Sequence, residues 1–446
     1  MKENYYYYET KTDEGIIYKY LINDDIIESP VFLIKNCNHY GMNHRYNATD
    51  EELYRFRDDL QKLNEDIKQH LIYNPLHKSH FRIDLFANNS INSCTYNNLM
   101  RNIDQSKIKQ IEKINFREFA MIVNCKSSGL MTFRRSLEGQ TFKAYTYDFK
   151  KFYYEMLKRI SIPSTRPIFT TISEINFNKL GFGIYRCMIS CSNKRFFQIF
   201  NFNKNNHYTH TTLRILYKYR EMYGITFTLL PPDDNYNYNF CDYGTKTISL
   251  KIWWKHFFNI FDKLLSKCSS NWLLKSYVSL LWGTLCKYNI KSIPKNDMKL
   301  YDWDHLSNLN YNNKCEHYMK QYQQNNSHLI DADNAFAYNH FARIKIFLPE
   351  YCRMYMFEMV SELNLSKYVI RCQTDSVTFS KPIDFEHVTK NSCFNNYYPI
   401  IENKSSCLHD DEYITFYNMN NYKHYCDNCD EEFKYDKDNC HPCFIS

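Results

Sequence analysis

Two acidic residues fall at positions suited to chemistry. Asp148 ends the strand-like run "AYTYD" just before "FKKFYYEML", where the pattern turns helical. Asp375 sits in "RCQTDSV" between the β-rich runs "KYVIRC" and "SVTFS", at the tip of an expected hairpin. An acid at a strand end can hold a divalent cation against a phosphate, since hard cations take oxygen ligands. Each also has an ordinary reading, Asp148 as a helix cap and Asp375 as a turn residue. Gln373 stands two places before Asp375, where a second acid would complete a metal-binding pair. Between the two acids, "LKSYVSLLWGTL" places Lys275, Ser279 and Trp282 on one helical face, and Gly283 lets another group approach the backbone closely. A Lys on that face could meet a triphosphate, and Trp282 could pack on a nucleotide. The ordinary reading is a solvated Lys on an amphipathic helix.

Several elements are needed to bring these residues together. "TDEELYRFRDDLQKL" predicts a helix near 49–70, capped by Thr49 or Asp50. "GIYRCMISC" and "RFFQIFNF" read as strands joined by "SNK". "TTLRILYKYREMYG" is a helix stopped by Gly224. "KIWWKHFFNIFDKLLSK" and "NWLLKSYVSLLWGTLCKYN" are two apolar-faced helices in succession. A polar stretch near 301–330 reads as an insertion or loop. "FARIKIFLPEYCRMYMFEMVSEL" is a further helix leading directly to Asp375.

The bulk properties set outer bounds. A chain of 446 residues has room for about three domains. Its net charge of +7 permits a polyanionic partner without demanding one. The 40 Tyr and 32 Phe go with an Asn-, Lys- and Ile-rich composition of the kind an AT-rich genome produces, so aromatic abundance alone argues little for base stacking. No apolar leader or membrane-length apolar window is visible, so the expectation is an intracellular, non-secreted protein without a membrane partner. The 17 Cys are then expected as thiols or metal ligands.

The order of the motifs carries more than each motif alone. "DFKKFYYEML", "KSYVSLLWG" and "QTDSV" resemble, in sequence order, the three polymerase motifs of family B DNA polymerases: Asp-x-x-x-x-Tyr, Lys-x-x-x-Asn-Ser-x-Tyr-Gly and Asp-Thr-Asp-Ser. The flanking helices resemble the protein-primed subgroup found in phages, adenoviruses, linear plasmids and virus-like transposons. The resemblance covers about 140–382, a little over half the chain. It implies an α+β right-hand fold with palm, fingers and thumb. The expected division is an N-terminal region at 1–140, palm at 141–252 and 331–385, fingers helices at 253–300, the polar insertion at 301–330, and thumb with cysteine tail at 386–446.

The resemblance also implies roles. Asp148 and Asp375 would hold two Mg²⁺ or Mn²⁺ ions, with the Phe149 carbonyl as an extra ligand. Lys275 would meet the triphosphate, and Lys267 would add a phosphate contact. Tyr153 would exclude a 2′-hydroxyl by bulk. Trp282 would back the nascent pair, near Ser279 and Gly283. Departures are Gln373 for an acid, Ser279-Leu280 for Asn-Ser, Trp282 for Tyr, and Tyr154 for Pro. They leave open a catalytically impaired homologue that serves as a nucleic-acid-binding or replication scaffold. The implied partners are primer-template DNA, deoxynucleoside triphosphates and a terminal priming protein. Arg134 and Arg135 in "GLMTFRRSLEG" read as template-phosphate contacts or as a basic surface turn. Lys423 in "NNYKHY" resembles the family's Lys-x-Tyr element. No Asp-x-Glu proofreading motif stands upstream; Asp84 in "FRIDLF" lacks the Glu. Finally, Cys426, Cys429, Cys440 and Cys443 form two Cys-x2-Cys knuckles, which fit a tetrahedral structural Zn²⁺ in a zinc-ribbon-like segment or four free thiols in a disordered tail.

Overall fold

The computed structural model describes residues 4–12, 15–29, 38–46, 49–70, 72–74, 76–87, 91–125, 129–134, 137, 141–149, 151–233, 236–268, 281–287, 290–294, 326–330, 338–385, 401–403, 413–415, 423–425 and 432–434. Contacts divide the chain into two units, residues 1–110 with 249–285, and residues 111–248 with 286–446. Helices and strands are mixed in both. Among the described residues no helix is long and apolar enough to cross a membrane.

The first unit opens with a sheet whose strands the tyrosine-rich sequence does not mark. β1 (Asn4–Thr12), β2 (Gly15–Ile22), β3 (Asp25–Ser29) and β4 (Asn38–Tyr46) lie in the order β3-β2-β1-β4, with β4 parallel to β1. Asn23 and Asp24, both at positive φ, make the tight turn between β2 and β3. Strand alternation divides the tyrosines. Tyr6 and Tyr8 are buried, Tyr6 against Phe56 of α1 (Asp50–Lys68), and Tyr8 donates to Asp50 Oδ1 at 3.0 Å. The helix begins where its cap predicts. Thr49 Oγ1 accepts from the Glu52 N–H, and the Glu52 carboxylate accepts from the Thr49 N–H. α1 buries Leu53, Phe56, Leu60, Leu63 and Ile67. Trp253 Nε1 donates to the Asp104 carbonyl at 3.0 Å, tying the later segment to the earlier one. That segment continues into α5 (Lys255–Lys267), one of the two expected apolar-faced helices.

The second unit holds two larger sheets. In one, β7 (Ile168–Thr170), β11 (Phe240–Asp242), β8 (Gly183–Cys191) and β9 (His207–Thr209) are neighbours in that order, and β10 (Ile225–Leu229) pairs with β8. The other has seven strands ordered β14-β6-β13-β12-β5-β15-β16. These are β14 (Ile401–Asn403), β6 (Tyr145–Phe149), β13 (Ser376–Phe379), β12 (Val369–Thr374), β5 (Leu130–Phe133), β15 (Lys423–Tyr425) and β16 (Glu432–Lys434). α6 (Ile344–Glu362) packs on α3 (Phe152–Leu157) and α4 (His210–Lys218). α4 and the short helix after it end at Gly224, whose φ of +61° is the left-handed cap expected there.

α6 is buried over most of its circumference, so its start must satisfy polar groups inside the core. Arg343 and Glu118 of α2 (Phe116–Asn124) are both fully buried. They pair in bidentate fashion, Nε to Oε1 at 2.7 Å and Nη2 to Oε2 at 2.9 Å. Tyr243 donates to the same carboxylate at 2.9 Å.

One expectation fails. "RFFQIFNF" is not a strand. Residues Lys194–Gln198 form a short 3₁₀ helix, and Phe196, Phe197 and Phe200 are all buried. With Phe196, Phe197, Ile199 and Phe200 all buried, the run lacks the alternation that would distinguish a strand from a buried turn of helix. The Gln198 carbonyl accepts from Thr132 Oγ1 of β5 at 2.6 Å, so this segment covers one face of the seven-stranded sheet.

Candidate functional site

The seven-stranded sheet has two unlike faces. Cys372, Val377 and Tyr147 are successive cross-strand partners and are buried. Phe149, on the same side of β6, meets Phe152 of α3 (ring centroids 4.7 Å apart) and Tyr355 of α6 (5.9 Å). The opposite face carries Thr146, Asp148, Gln373, Ser376 and Thr378, and Thr146 and Thr378 bring their hydroxyls to 2.9 Å. Along one row Glu402, Asp148, Ser376, Gln373 and Met131 are consecutive register partners.

Asp148 and Asp375, far apart in sequence, come near each other along the backbone at the end of this row. Ser376 lies opposite Asp148, so Asp375 is one residue from the pairing, and the Asp375 carbonyl accepts from the Phe149 N–H at 2.8 Å. Both acids are half-buried. Asp148 is not a helix cap, because α3 starts at Phe152 after Lys151 and that end has no side-chain cap bond. Asp375 is at the hairpin tip, as expected. The tip is tight: the Asp375 N–H donates to the Gln373 carbonyl at 2.6 Å, closing a three-residue turn centred on Thr374. Thr374 has φ +55°, a left-handed conformation that a β-branched residue adopts at a cost of about 1–3 kcal/mol. Lys151, just after the Asp148 strand, is also left-handed at φ +51°. Local strain thus flanks both acids.

Tyr153 is the second residue of α3, half-buried and in ring contact with Phe152. Burial, then the neighbouring Cys352 and Asp375, push its phenol well above the usual range, so it stays protonated. The buried Cys352 thiol of α6 is likewise raised, by burial first and then by Asp375. Tyr153, Cys352 and Asp375 are therefore neighbours. Cys352 had no signal in the sequence, since only the packing of its helix brings it to the site, whereas Thr374 and Ser376 belong to the "QTDSV" stretch itself.

The remaining sequence candidates are distributed differently. Arg134 Nη2 donates to Gln198 Oε1 and to the Lys367 carbonyl, both at 3.0 Å, which ties the end of β5 to the approach to β12. Lys423 begins β15, in register with Thr132. Trp282 and Gly283 lie in the helical residues 281–285 of the other unit, and Gly283 has nothing within 4 Å of an added Cβ among the described residues. Lys275, Ser279, Arg135 and the four cysteines Cys426, Cys429, Cys440 and Cys443 lie outside the described residues. Among the described residues, no group of three or more His, Cys, Asp or Glu is arranged to hold a metal. The described cysteines are free thiols.

No protein-family profile matches the chain, and no curated protein matches it. Among solved structures it is similar to Phi29 DNA polymerase complexed with primer-template DNA in a post-translocation binary complex. The TM-score is 0.48 at 10% identity, covering 86% of this chain and 81% of that one. It is similar also to that polymerase in a ternary complex with incoming nucleotide substrates (TM-score 0.47, 11% identity) and complexed with single-stranded DNA (TM-score 0.48, 10% identity), over the same shares. The pairing of β6 with β13 places Ser376 opposite Asp148 and Asp375 one residue away.

Proposed function

We propose that the chain is a DNA-templated DNA polymerase of the protein-primed family B kind, adding deoxynucleotides to a primer end. The observation that supports this reading most is the cross-strand pairing of Ser376 with Asp148, which brings the backbone of Asp375, at the hairpin tip, against the end of the strand that carries Asp148. Two carboxylates with an amide nearby offer hard oxygen donors, which suit Mg²⁺ or Mn²⁺, ions that take a few protein oxygens and complete their shells with phosphate and water. When bound, such ions supply a lowered pKa for an attacking hydroxyl and charge neutralisation at the phosphates.

The protein groups have separate tasks in this reading. Asp148 and Asp375 hold the cations, with the Phe149 carbonyl as a further donor. Gln373 supplies an oxygen without charge, so the site is less negative than an acid at that position would make it. Tyr153, held neutral, is a bulky wall beside Asp375 that leaves no room for a 2′-hydroxyl. Lys275, with Ser279, Trp282 and Gly283, takes the incoming nucleotide; Arg134, Arg135 and Lys423 take DNA. In this scheme the seven-stranded sheet is the palm, the helices at 253–300 the fingers and 386–446 the thumb. The four C-terminal cysteines hold a structural Zn²⁺, and a terminal priming protein joins DNA and nucleotides as a partner. Gln373 favours one rival reading, a homologue that binds primer-template DNA without extending it.

Primer extension with Mg²⁺ or Mn²⁺ separates the two. The active enzyme extends the primer, and Asp375→Ala lowers incorporation by about a thousandfold, the several kcal/mol that cation chemistry supplies. Extension by the variant at the native rate would sink the proposal. DNA binding without extension by the native chain would establish the rival.

A further inference from the structure

We infer that Gly129 is a positioning residue for Asp375, leaving the space in which Thr374 holds the left-handed turn that sets the acid against the end of the Asp148 strand. The inference rests on the metal-binding reading of the two acids. A β-branched residue stays left-handed only where its surroundings enforce it. At this tip one constraint is the Phe149 N–H bonded to the Asp375 carbonyl at 2.8 Å. A second is the pairing of Thr374 with Leu130, the residue after Gly129. A third is Gly129 itself. A Cβ there would stand 3.0 Å from Thr374 Cγ2 and 3.1 Å from both its Cα and its Oγ1.

The reason for glycine at this position is space. Gly224 and Gly244 have φ of +61° and +67°, but the Gly129 backbone lies outside the left-handed region and is open to any residue. A methyl group at 129 would press on the Cα of Thr374 as well as on its side chain. A side chain can swing aside; a main-chain atom bonded to the Asp375 peptide cannot. The displacement is therefore delivered to the carboxylate. Removing the Thr374 side chain eliminates two of the three close contacts, and a glycine at 374 adopts the left-handed turn freely.

The test is Mn²⁺ binding to the full-length protein without DNA or nucleotide, followed by electron paramagnetic resonance, with a melting curve for each variant. Asp375→Ala should abolish tight binding. Gly129→Ala, still folded, should weaken binding at least about tenfold, the usual loss when support behind a metal ligand is disturbed. In a Thr374→Gly background the same change should cost less than about threefold, a non-additivity expected only of groups in contact. Native Mn²⁺ affinity in Asp375→Ala would refute the metal reading itself. With that reading intact, the positioning role is overturned by native affinity in folded Gly129→Ala, or by an equal loss in both backgrounds. Should Gly129→Ala fail to fold, the Thr374→Gly background decides. Restored folding and binding support the role, and continued misfolding overturns it.

Discussion

The four-stranded sheet at residues 4–46 and the seven-stranded sheet that carries the acids are assembled in opposite ways. The first takes its strands from one continuous stretch, turning β2 into β3 through Asn23 and Asp24. The second gathers strands from residues 130 to 434, and its neighbours in space are seldom neighbours in sequence. A local sheet is specified by its own turns and caps. A long-range sheet depends on the core against which its strands are laid, and its loop closures come first at an entropic cost. The candidate chemistry lies on the second kind, so the site should be the part most sensitive to distant core changes.

The largest expected effect is at the buried pair behind α6. Glu118→Ala leaves the Arg343 guanidinium buried without its carboxylate and should cost about 3–5 kcal/mol. Denaturant unfolding that shows less than about 1 kcal/mol would mean that α6 is anchored elsewhere. A smaller effect is expected from pH. His210 is buried between Phe182 and Phe347, and burial, with Arg214 nearby, pushes its imidazole down to about 4 from 6.5. The folded protein thus binds this proton less readily than the unfolded chain. The stability from this group is full above about pH 6.5 and is lost as pH falls toward about 4, in total about 3 kcal/mol. His210→Phe should flatten that part of the melting-temperature profile, and an unchanged slope between pH 6.5 and 4 would refute the assignment. The smallest effect belongs to the local sheet's helix. Thr49→Ala removes one half of the capping box and should cost about 1 kcal/mol, read as a shift in the α1 unfolding signal. A loss there as large as that of Glu118→Ala would erase the contrast between the two regions.

What the sequence reveals follows the same division. The Thr49 cap, the Gly224 stop and the helix before Asp375 are local signals, and each is found where expected. Asp148 at a strand end and Asp375 at a hairpin tip were legible for the same reason. The strands in "YYYYET" were not, because tyrosine occupies both faces and hides the alternation. "RFFQIFNF" reads as a strand but is a short 3₁₀ helix, because Phe196, Phe197, Ile199 and Phe200 are all buried and leave no alternation. The left-handed Thr374 and the space above Gly129 leave no local trace, since a contact between strands far apart in sequence creates both.

The pairing of Ser376 with Asp148 has a consequence for how this protein could go wrong. Strand alternation means that a slip of one residue between β6 and β13 would exchange the places of Tyr147 and Asp148. The acid would enter the apolar interior and the phenol would face outward. Most backbone bonds of the ladder would re-form in the shifted alignment, so bond strength does little to reject it. Rejection falls to the side chains: a carboxylate forced against Phe379 and Phe385 is the penalty that keeps the strands aligned. The residue proposed to do the chemistry would then also be the one that enforces correct assembly.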